Sequence, residues 1–384
     1  MRAADFTADS PGRLVDIPPG VPAFIPHPLP EVLSLDHAAV RLLSDADYAI
    51  GRLVGAVRRM VNPFLIASPL LHREAILSSR IEGTIATPEQ LVLAEIGSPV
   101  AETAGDDANE VLNYIRAVHH GLRSKLPTSL RLIRELHGVL MKGVRGGQDR
   151  PGEFRDVQNF IGHSGASIGD ARFVPPPVRA MHECLDVFER RLHASNEQLP
   201  LLVKLALVHY QFEAIHPFRD GNGRIGRLLL PLLLVREGRL EEPVLYLSAY
   251  FERHRETYLD LLLAVSLKGA WLEWVRFFLK GVEESATESL TQADVLLKLR
   301  ERYHDRFRKA RSFGILQQLI DNLFASPSTT MMATAKALKI TPAAASANIR
   351  KLQQGGILRE ATGRKRDQVF VAPEILRFMG GRNR

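Results

Sequence analysis

Twelve consecutive residues, His216-Pro-Phe-Arg-Asp-Gly-Asn-Gly-Arg-Ile-Gly-Arg227, constrain this chain more than any other stretch. They lie between two strongly apolar segments, residues 200–215 and the run Leu228-Leu-Leu-Pro-Leu-Leu-Leu-Val235, both of which read as buried helices. The polar residues between them must therefore meet in one loop and the first turn of the second helix. His216 is a residue type with an unperturbed pKa of about 6.5, so its neutral form can accept a proton near neutrality. Asp220 supplies a hard oxygen of the kind Mg²⁺ prefers beside phosphates. Gly221 and Gly223 carry no Cβ, which lets backbone N–H groups face an anion, and Asn222 tolerates tight backbone geometry. Arg224 and Arg227 can grip phosphate oxygens bidentately. The helix that follows points its positive end back at the loop.

Each piece has an ordinary structural reading as well: Pro217 can end a helix, and Asp-Gly-Asn-Gly is a common kind of turn. Six such features within twelve residues are hard to obtain by packing alone. Together they resemble the signature of Fic-domain proteins, His-x-Phe-x-Asp/Glu-Gly-Asn-Gly-Arg-x-x-Arg, which this chain matches at every specified position. The resemblance implies transfer of AMP from ATP to a Ser, Thr or Tyr hydroxyl of a target protein. It makes His216 the base, Asp220 the Mg²⁺ ligand, residues 221–223 the anion cradle, and Arg224 and Arg227 the clamps on the outer phosphates. It also gives Gly223 a meaning, because the phosphotransferase branch of the family, the Doc toxins, typically has Lys there.

Two further stretches gain weight from that match. Residues 158–175 read as two short extended runs around a Gly/Ser-rich turn, a hairpin. In the family a flap stands here, so Ile161, Gly162, His163 and Ser164 are expected to contact ATP. Ser78-Ser-Arg-Ile-Glu82-Gly83 closes an apolar helix at a glycine. It resembles the family's inhibitory motif, in which Ser78 and Gly83 frame Glu82 and Glu82 pairs with Arg227, so the chain would carry its own inhibitor. Downstream, Tyr258 resembles a tyrosine near the adenine and Ser266 a polar position beyond it, while Leu259 stands where some members carry a second Tyr.

The expected organisation is an all-α Fic-type helical core with a small β-hairpin flap, a helical N-terminal extension and a C-terminal winged helix-turn-helix. A Pro-rich arm is expected to run extended over residues 1–40, seven prolines falling within 11–30. A helical domain with the inhibitory motif follows at 41–125, its first helix capped near Ser44. The catalytic domain covers 126–285, and a linker helix with the winged helix covers 286–384. Helices are expected over 63–82, 107–123, 129–142, 178–193, 200–215, 222–237 and 254–310, the last broken near 269.

The net charge of +7 is confined to one end: residues 311–384 hold 12 Lys/Arg against 4 Asp/Glu. That segment reads as three helices, residues 342–354 being the recognition helix, followed by a wing with the basic turn Gly363-Arg-Lys-Arg366. Docking to DNA phosphates and docking to a protein both remain open, since Pro342-Ala-Ala-Ala-Ser-Ala offers little for base readout. A single cysteine, Cys184, excludes an internal disulfide framework. With no apolar run of membrane-spanning length and no apolar leader core, the expectation is a cytoplasmic protein with no membrane partner. A homodimer is left open. Two other activities are consistent with the same residues: a DNA-binding regulator whose core senses nucleotides, and a hydrolase in which Glu82 helps remove AMP from modified targets.

Overall fold

The computed structural model describes residues 1–98, 105–144, 150–163, 165–193, 198–310 and 312–380. In chain order the elements are β1 (Gly12–Ile17), β2 (Val21–Pro26), α1 (His37–Arg58), α2 (Phe64–Ile81), α3 (Pro88–Glu95), α4 (Gly105–Arg123), α5 (Leu130–Leu140), α6 (Val178–Leu192), α7 (Leu201–Ile215), α8 (Asn222–Arg236), α9 (Ser248–Arg253), α10 (Arg255–Lys268) and α11 (Trp271–Phe307). The chain ends in α12 (Phe313–Ala325), β3 (Ser328–Thr330), α13 (Met331–Leu338), α14 (Pro342–Gln354), β4 (Arg359–Glu360), β5 (Val369–Val371) and α15 (Pro373–Met379). The fold is mostly helical with small antiparallel sheets. Among the described residues no helix is long and apolar enough to cross a membrane.

Three helices make the centre. In α7 every side chain but Leu201 and Glu213 is buried, and in α8 every residue but Gly223, Val235 and Arg236. A helix apolar on all sides belongs in the middle of a bundle, and α8 packs on α7, α4 and α2. The third, α2, is buried from Leu65 to Ile81 except at Ser68, Arg73 and Arg80, and meets α4, α9, α12 and α15. This packing fixes the end of α2, with Glu82, against the start of α8. Gly269, in the left-handed region at φ +64°, separates α10 from the 37-residue α11, and α11 runs without a break across residue 285.

The C-terminal residues form a three-stranded antiparallel sheet of order β3-β5-β4 beside α12, α13 and α14. This part is docked on the rest. Arg359 pairs with Glu89 at 2.7 Å, the Ser328 hydroxyl donates to the Val92 carbonyl at 3.2 Å, and α12 and α15 share the main hydrophobic core.

Four expectations need correction. Residues 12–26 do not run extended over the surface; β1 and β2 pair antiparallel, with Gly12 opposite Pro26 and Ile17 opposite Val21. The prolines suit this, since Pro18-Pro19-Gly20 forms the turn, and Pro22 and Pro26 sit near strand ends where a missing N–H costs little. The hairpin over 158–175 contracts to one antiparallel bridge, Ile161 with Phe173, followed by a 3₁₀ turn at Ile168–Asp170. The cap of α1 is Asp36, whose carboxylate accepts from the Ala39 N–H at 2.9 Å, so Ser44 lies inside the helix. Finally, α3, α9, β3 and α15 lie outside the expected elements.

The N-terminal hairpin braces the flap. The Phe24 N–H donates to the Val174 carbonyl at 2.9 Å, and Ile17 and Ala23 form a small separate core with Ala171 and Val174. Phe24 is fully buried between Phe6 and Phe173, with ring centroids 5.6 and 5.8 Å away. Phe24→Ala is expected to cost about 3–5 kcal/mol, the range for a buried Phe, read from the denaturant midpoint. Limited proteolysis within 157–175 should accelerate at the same time. Unchanged cleavage there would show that the hairpin does not hold the flap.

Candidate active site

The loop between α7 and α8 is built around a left-handed residue. His216 ends α7 with φ 49° and ψ 60°, a conformation that costs a non-glycine residue about 1–2 kcal/mol. It persists because its backbone is held from several sides. Its N–H donates to the Phe212 carbonyl at 3.0 Å. Its carbonyl accepts from Arg155 Nε at 3.0 Å and Asn159 Nδ2 at 3.4 Å. Arg155 is only 1% exposed, and its own N–H donates to the Pro217 carbonyl at 2.9 Å. Burial lowers this guanidinium to about 10. Asn222 closes the loop: its Oδ1 accepts from the Phe218 N–H and its Nδ2 donates to the Phe218 carbonyl, both at 2.8 Å. Gly221 precedes α8 at φ 76°, and the first backbone bond of the helix runs from Ile225 N–H to the Gly221 carbonyl. The N–H groups before it have no acceptor inside the helix, which makes the turn a site for anions.

Burial brings His216 down to about 4, outweighing the carbonyl of Glu213, which accepts from Nδ1 at 3.3 Å. The ring is therefore neutral near pH 7, with its proton on Nδ1 and a free lone pair on Nε2. His137 is arranged in the opposite sense. Its Nδ1 accepts from the Gly152 N–H at 2.9 Å, so Nε2 carries the proton and donates to the Asp220 carbonyl at 3.1 Å. Burial lowers it to about 4 also, and its ring stacks on Phe218 at 3.8 Å.

Arg227 is 2% exposed and is held through two of its three guanidinium nitrogens. Nε donates to Ser78 Oγ at 3.0 Å, and Nη2 donates to the Ser78 carbonyl at 2.9 Å and to Glu82 Oε1 at 2.7 Å. Glu82 caps the C-terminal end of α2, and Gly83 follows at φ 91°, a position that favours glycine. The Glu82 side chain keeps 38% of its surface open. Burial opposes its charge, yet the Arg227 guanidinium holds its carboxyl below the ordinary range. A Cβ on Gly223 would lie 2.2 Å from Glu82 Oε1 and 2.9 Å from Arg227 Nη1, so this pair requires a glycine at 223.

A cavity of about 540 Å³ opens beside this pair. Of the residues singled out in the sequence, Glu82, Ile161, Gly162, His163, His216, Gly223, Arg227, Tyr258, Leu259 and Ser266 line it. Ser164 lies outside the described residues. The Tyr258 hydroxyl donates to His209 Nε2 at 2.8 Å, and His209, lowered to about 3 by burial, donates from Nδ1 to the Gly226 carbonyl at 3.2 Å. The Ser266 hydroxyl bonds Tyr210 at 2.9 Å.

Asp220, Gly221, Asn222 and Arg224 are not on the cavity wall. Arg224 is 3% exposed and meets Glu110 at 3.1 Å, the Met141 sulfur at 3.8 Å and Asp220 Oδ2 at 3.4 Å. Glu110, Arg155, Asn159, His137 and Glu213 shape this site and were not identified from the sequence. Only Glu213 left a trace there, as the one acid in the apolar run 201–215.

The Asp220 carboxylate is 54% exposed and directly precedes the open helix turn. Among the described residues no three His, Cys, Asp or Glu side chains cluster as an all-protein metal cage. One open carboxylate beside an anion cradle fits Mg²⁺, which binds through one or two carboxylates together with substrate phosphates.

The geometry yields a direct test of the loop. Asn222→Ala leaves the Phe218 N–H without its acceptor, while the Phe218 carbonyl keeps Asn159 Nδ2 at 2.9 Å, and should cost about 1–3 kcal/mol, the range for one buried unpaired group. Chemical denaturation measures this. A loss under about 0.5 kcal/mol, the size of an ordinary surface change, would mean that water replaces the side chain freely.

Residues 40–123 match the family profile described as Fic/DOC family N-terminal, and residues 127–234 match that described as Fic/DOC family. Over 217 residues the chain is 31% identical to the protein adenylyltransferase Fic of Drosophila melanogaster, a match spanning 54% of this chain and 40% of the relative. It is 36% identical over 140 residues to the protein of the same name in Drosophila grimshawi, spanning 35% of this chain and 26% of the relative. The chain thus spans less than half the length of these curated relatives. Among solved structures, a Fic family protein from Desulfovibrio desulfuricans G20 aligns with a TM-score of 0.56 at 19% identity, covering 88% of this chain and 97% of that one. Fic-1 (residues 134–508) from C. elegans aligns at 0.52 and 19% identity, covering 67% and 74%. At such identities these two likenesses concern the fold alone. With two profile matches that together span half of its length and the complete signature at 216–227, the chain belongs to the Fic/DOC family.

Proposed function

We propose that this chain is a protein adenylyltransferase that moves AMP from ATP to a Ser, Thr or Tyr hydroxyl of a target protein, and that Glu82 restrains it in cis. One observation carries the reading: Glu82 holds Arg227 at 2.7 Å inside the cavity onto which His216 also opens. The curated relatives that share the signature are named protein adenylyltransferases, which supports the reaction class.

In this mechanism the target hydroxyl gives its proton to the free Nε2 of His216. Its oxygen forms a bond to the α-phosphorus of ATP, the α–β phosphoanhydride bond breaks, and pyrophosphate leaves. His216 suits this role because it is neutral with its Nδ1 proton held by the Glu213 carbonyl, and arriving phosphates would raise its affinity for a proton. The backbone of 221–223 holds the phosphates, while Arg227 and, once released from Glu110, Arg224 hold the outer ones. Asp220 would hold Mg²⁺, which would offset phosphate charge. Ile161, Gly162 and His163 clamp the nucleotide from the flap, with Tyr258 and Ser266 toward the base. While Arg227 is committed to Glu82 it cannot serve the γ-phosphate, because a carboxylate and a phosphate cannot share one guanidinium without repulsion.

The C-terminal elements support a winged helix-turn-helix reading, with α14 as the recognition helix and the β4–β5 loop as the wing. Arg364, Lys365 and Arg366 are exposed on that loop, which suits docking to an acidic partner, whether DNA or protein.

Incubation with labelled ATP and Mg²⁺ tests the reading. Glu82→Gly should raise covalent labelling by about tenfold or more, since ~1.4 kcal/mol of relieved competition is worth that factor. Adding His216→Ala should lower it by about 10²–10⁴-fold, and adding Arg227→Ala should leave it near background. Labelling that Glu82→Gly does not raise removes the cis restraint. Absence of label in every variant removes the transferase reading itself.

A further inference from the structure

A carboxyl that the mechanism leaves unused lies in the same cavity. Tyr210 and Glu213 on α7 and His216 at its C-terminal cap follow at three-residue spacing, and all three line the cavity. Glu213 Oε1 is shielded from solvent and has no hydrogen-bond partner among the described residues. The carboxyl packs so closely on α8 that a Cβ added to Gly226 would lie 2.3 Å from Oε1. Two glycines three residues apart on α8 thus each admit a carboxyl oxygen: Gly223 admits Glu82, and Gly226 admits Glu213. Between them stands Arg227, with its Nε and Nη2 bonds directed to Ser78 and Glu82 and none to Glu213.

The charged and titratable groups facing Glu213 leave it little reason to ionise. From α8 comes Arg227, from the end of α2 Glu82, and from α10 Tyr258, whose own ionisation is pushed far up by burial. On its own helix His216 and His209 are neutral. The flap adds His163, Asp170 and Arg172 to the cavity wall, and α10 adds Arg255 and Glu256, four charges that balance. One guanidinium therefore faces two carboxyls and is neutralised by Glu82. Burial raises Glu213 to about 8, with Arg227 lowering it and Glu82 raising it.

We propose that Glu213 is a polyphosphate-site residue that takes part as a neutral acid, so that an anionic nucleotide binds at Arg227 only while Glu213 keeps its proton. This rests on the nucleotide reading above and adds to it a proton linkage. When the triphosphate replaces Glu82 at Arg227 it brings more negative charge than it displaces, and an ionised Glu213 would both repel it and compete for the guanidinium. Phosphate arrival therefore raises the affinity of Glu213 for its proton. By linkage, ionisation of Glu213 weakens the nucleotide complex.

The test is calorimetric titration of ATP with Mg²⁺ into Glu82→Gly, in buffers of differing ionisation enthalpy between pH 7.5 and 9. With Glu82 gone, Arg227 faces Glu213 alone and draws its ionisation to lower pH, so the expected affinity falls toward tenfold per pH unit across this range, with protons taken up on binding. In Glu82→Gly/Glu213→Gln, where the side chain is nearly isosteric but cannot ionise, affinity should be flat over that range and the uptake should vanish. A parent variant that binds ATP tightly with no proton uptake at pH 9 overturns this inference alone, as does a pH dependence that Glu213→Gln leaves intact. Failure of the parent to bind ATP at any pH overturns the nucleotide reading and this inference together. Because uptake is read in the parent, the test stands even if the Gln variant does not fold.

Discussion

The structure of this site depends on where one buried guanidinium finds its hydrogen bonds. Arg227 sits on the first turns of a helix buried on nearly all sides, where an unpaired charge would cost several kcal/mol. In the chain by itself the missing partners come from α2: the Ser78 hydroxyl and carbonyl, and the Glu82 carboxylate. This one side chain thereby ties the N-terminal helical region to the helix that follows the motif loop. Two of its partners are permanent parts of α2, while Glu82 is a terminal side chain with 38% of its surface open to the cavity. In the proposed function it is this third partner that gives way to another anion, while the first two stay in place. The proposed cis restraint rests on that asymmetry.

The neighbouring groups make the exchange chemically useful. Arg224, three residues earlier on the same helix, is occupied by Glu110 on α4, so both arginines that the 216–227 motif places on α8 are held by carboxylates from the N-terminal half of the chain. His216 is kept neutral by burial and oriented by its Nδ1 bond to the Glu213 carbonyl, while Arg155 and Asn159 hold its left-handed backbone from the flap side. The flap in turn leans on the N-terminal hairpin. The backbone of the 216–222 loop is thus held by carbonyls and buried polar side chains, while Asp220 and Glu82 keep part of their surface open.

The sequence made the loop legible because its chemistry is contiguous: six functional residue types fall within one turn and one helix start. It also made α7 and α8 legible, since their apolar runs are long and uninterrupted, and the end of α2, where an apolar helix meets Gly83. What stayed hidden were partners brought together only by the fold. Glu110 meets Arg224 across 114 positions, and Arg155 meets His216 across 61. The start of α1 was hidden for another reason: its early buried residues, Ala39 and Ala46, give no large apolar signal. The N-terminal hairpin was misread because prolines suggest an extended arm unless their register at strand ends is known. Glu213 stands out as the one acid of the apolar run 201–215, but the sequence does not say what its carboxyl faces.

Everything proposed for this site requires that Glu82 and Arg227 be energetically coupled in the chain without ligand. A double-mutant cycle of Glu82→Gln with Arg227→Met, read in unfolding free energy, measures this most directly. A solvent-exposed pair gives about 0–1 kcal/mol, and a buried one loses ~3–5 kcal/mol when a single partner is removed. With Arg227 buried and Glu82 partly open, the predicted coupling lies between these, at about 1–3 kcal/mol. A coupling indistinguishable from zero would contradict the account, because Arg227 would then be held by Ser78 alone and Glu82 would restrain nothing.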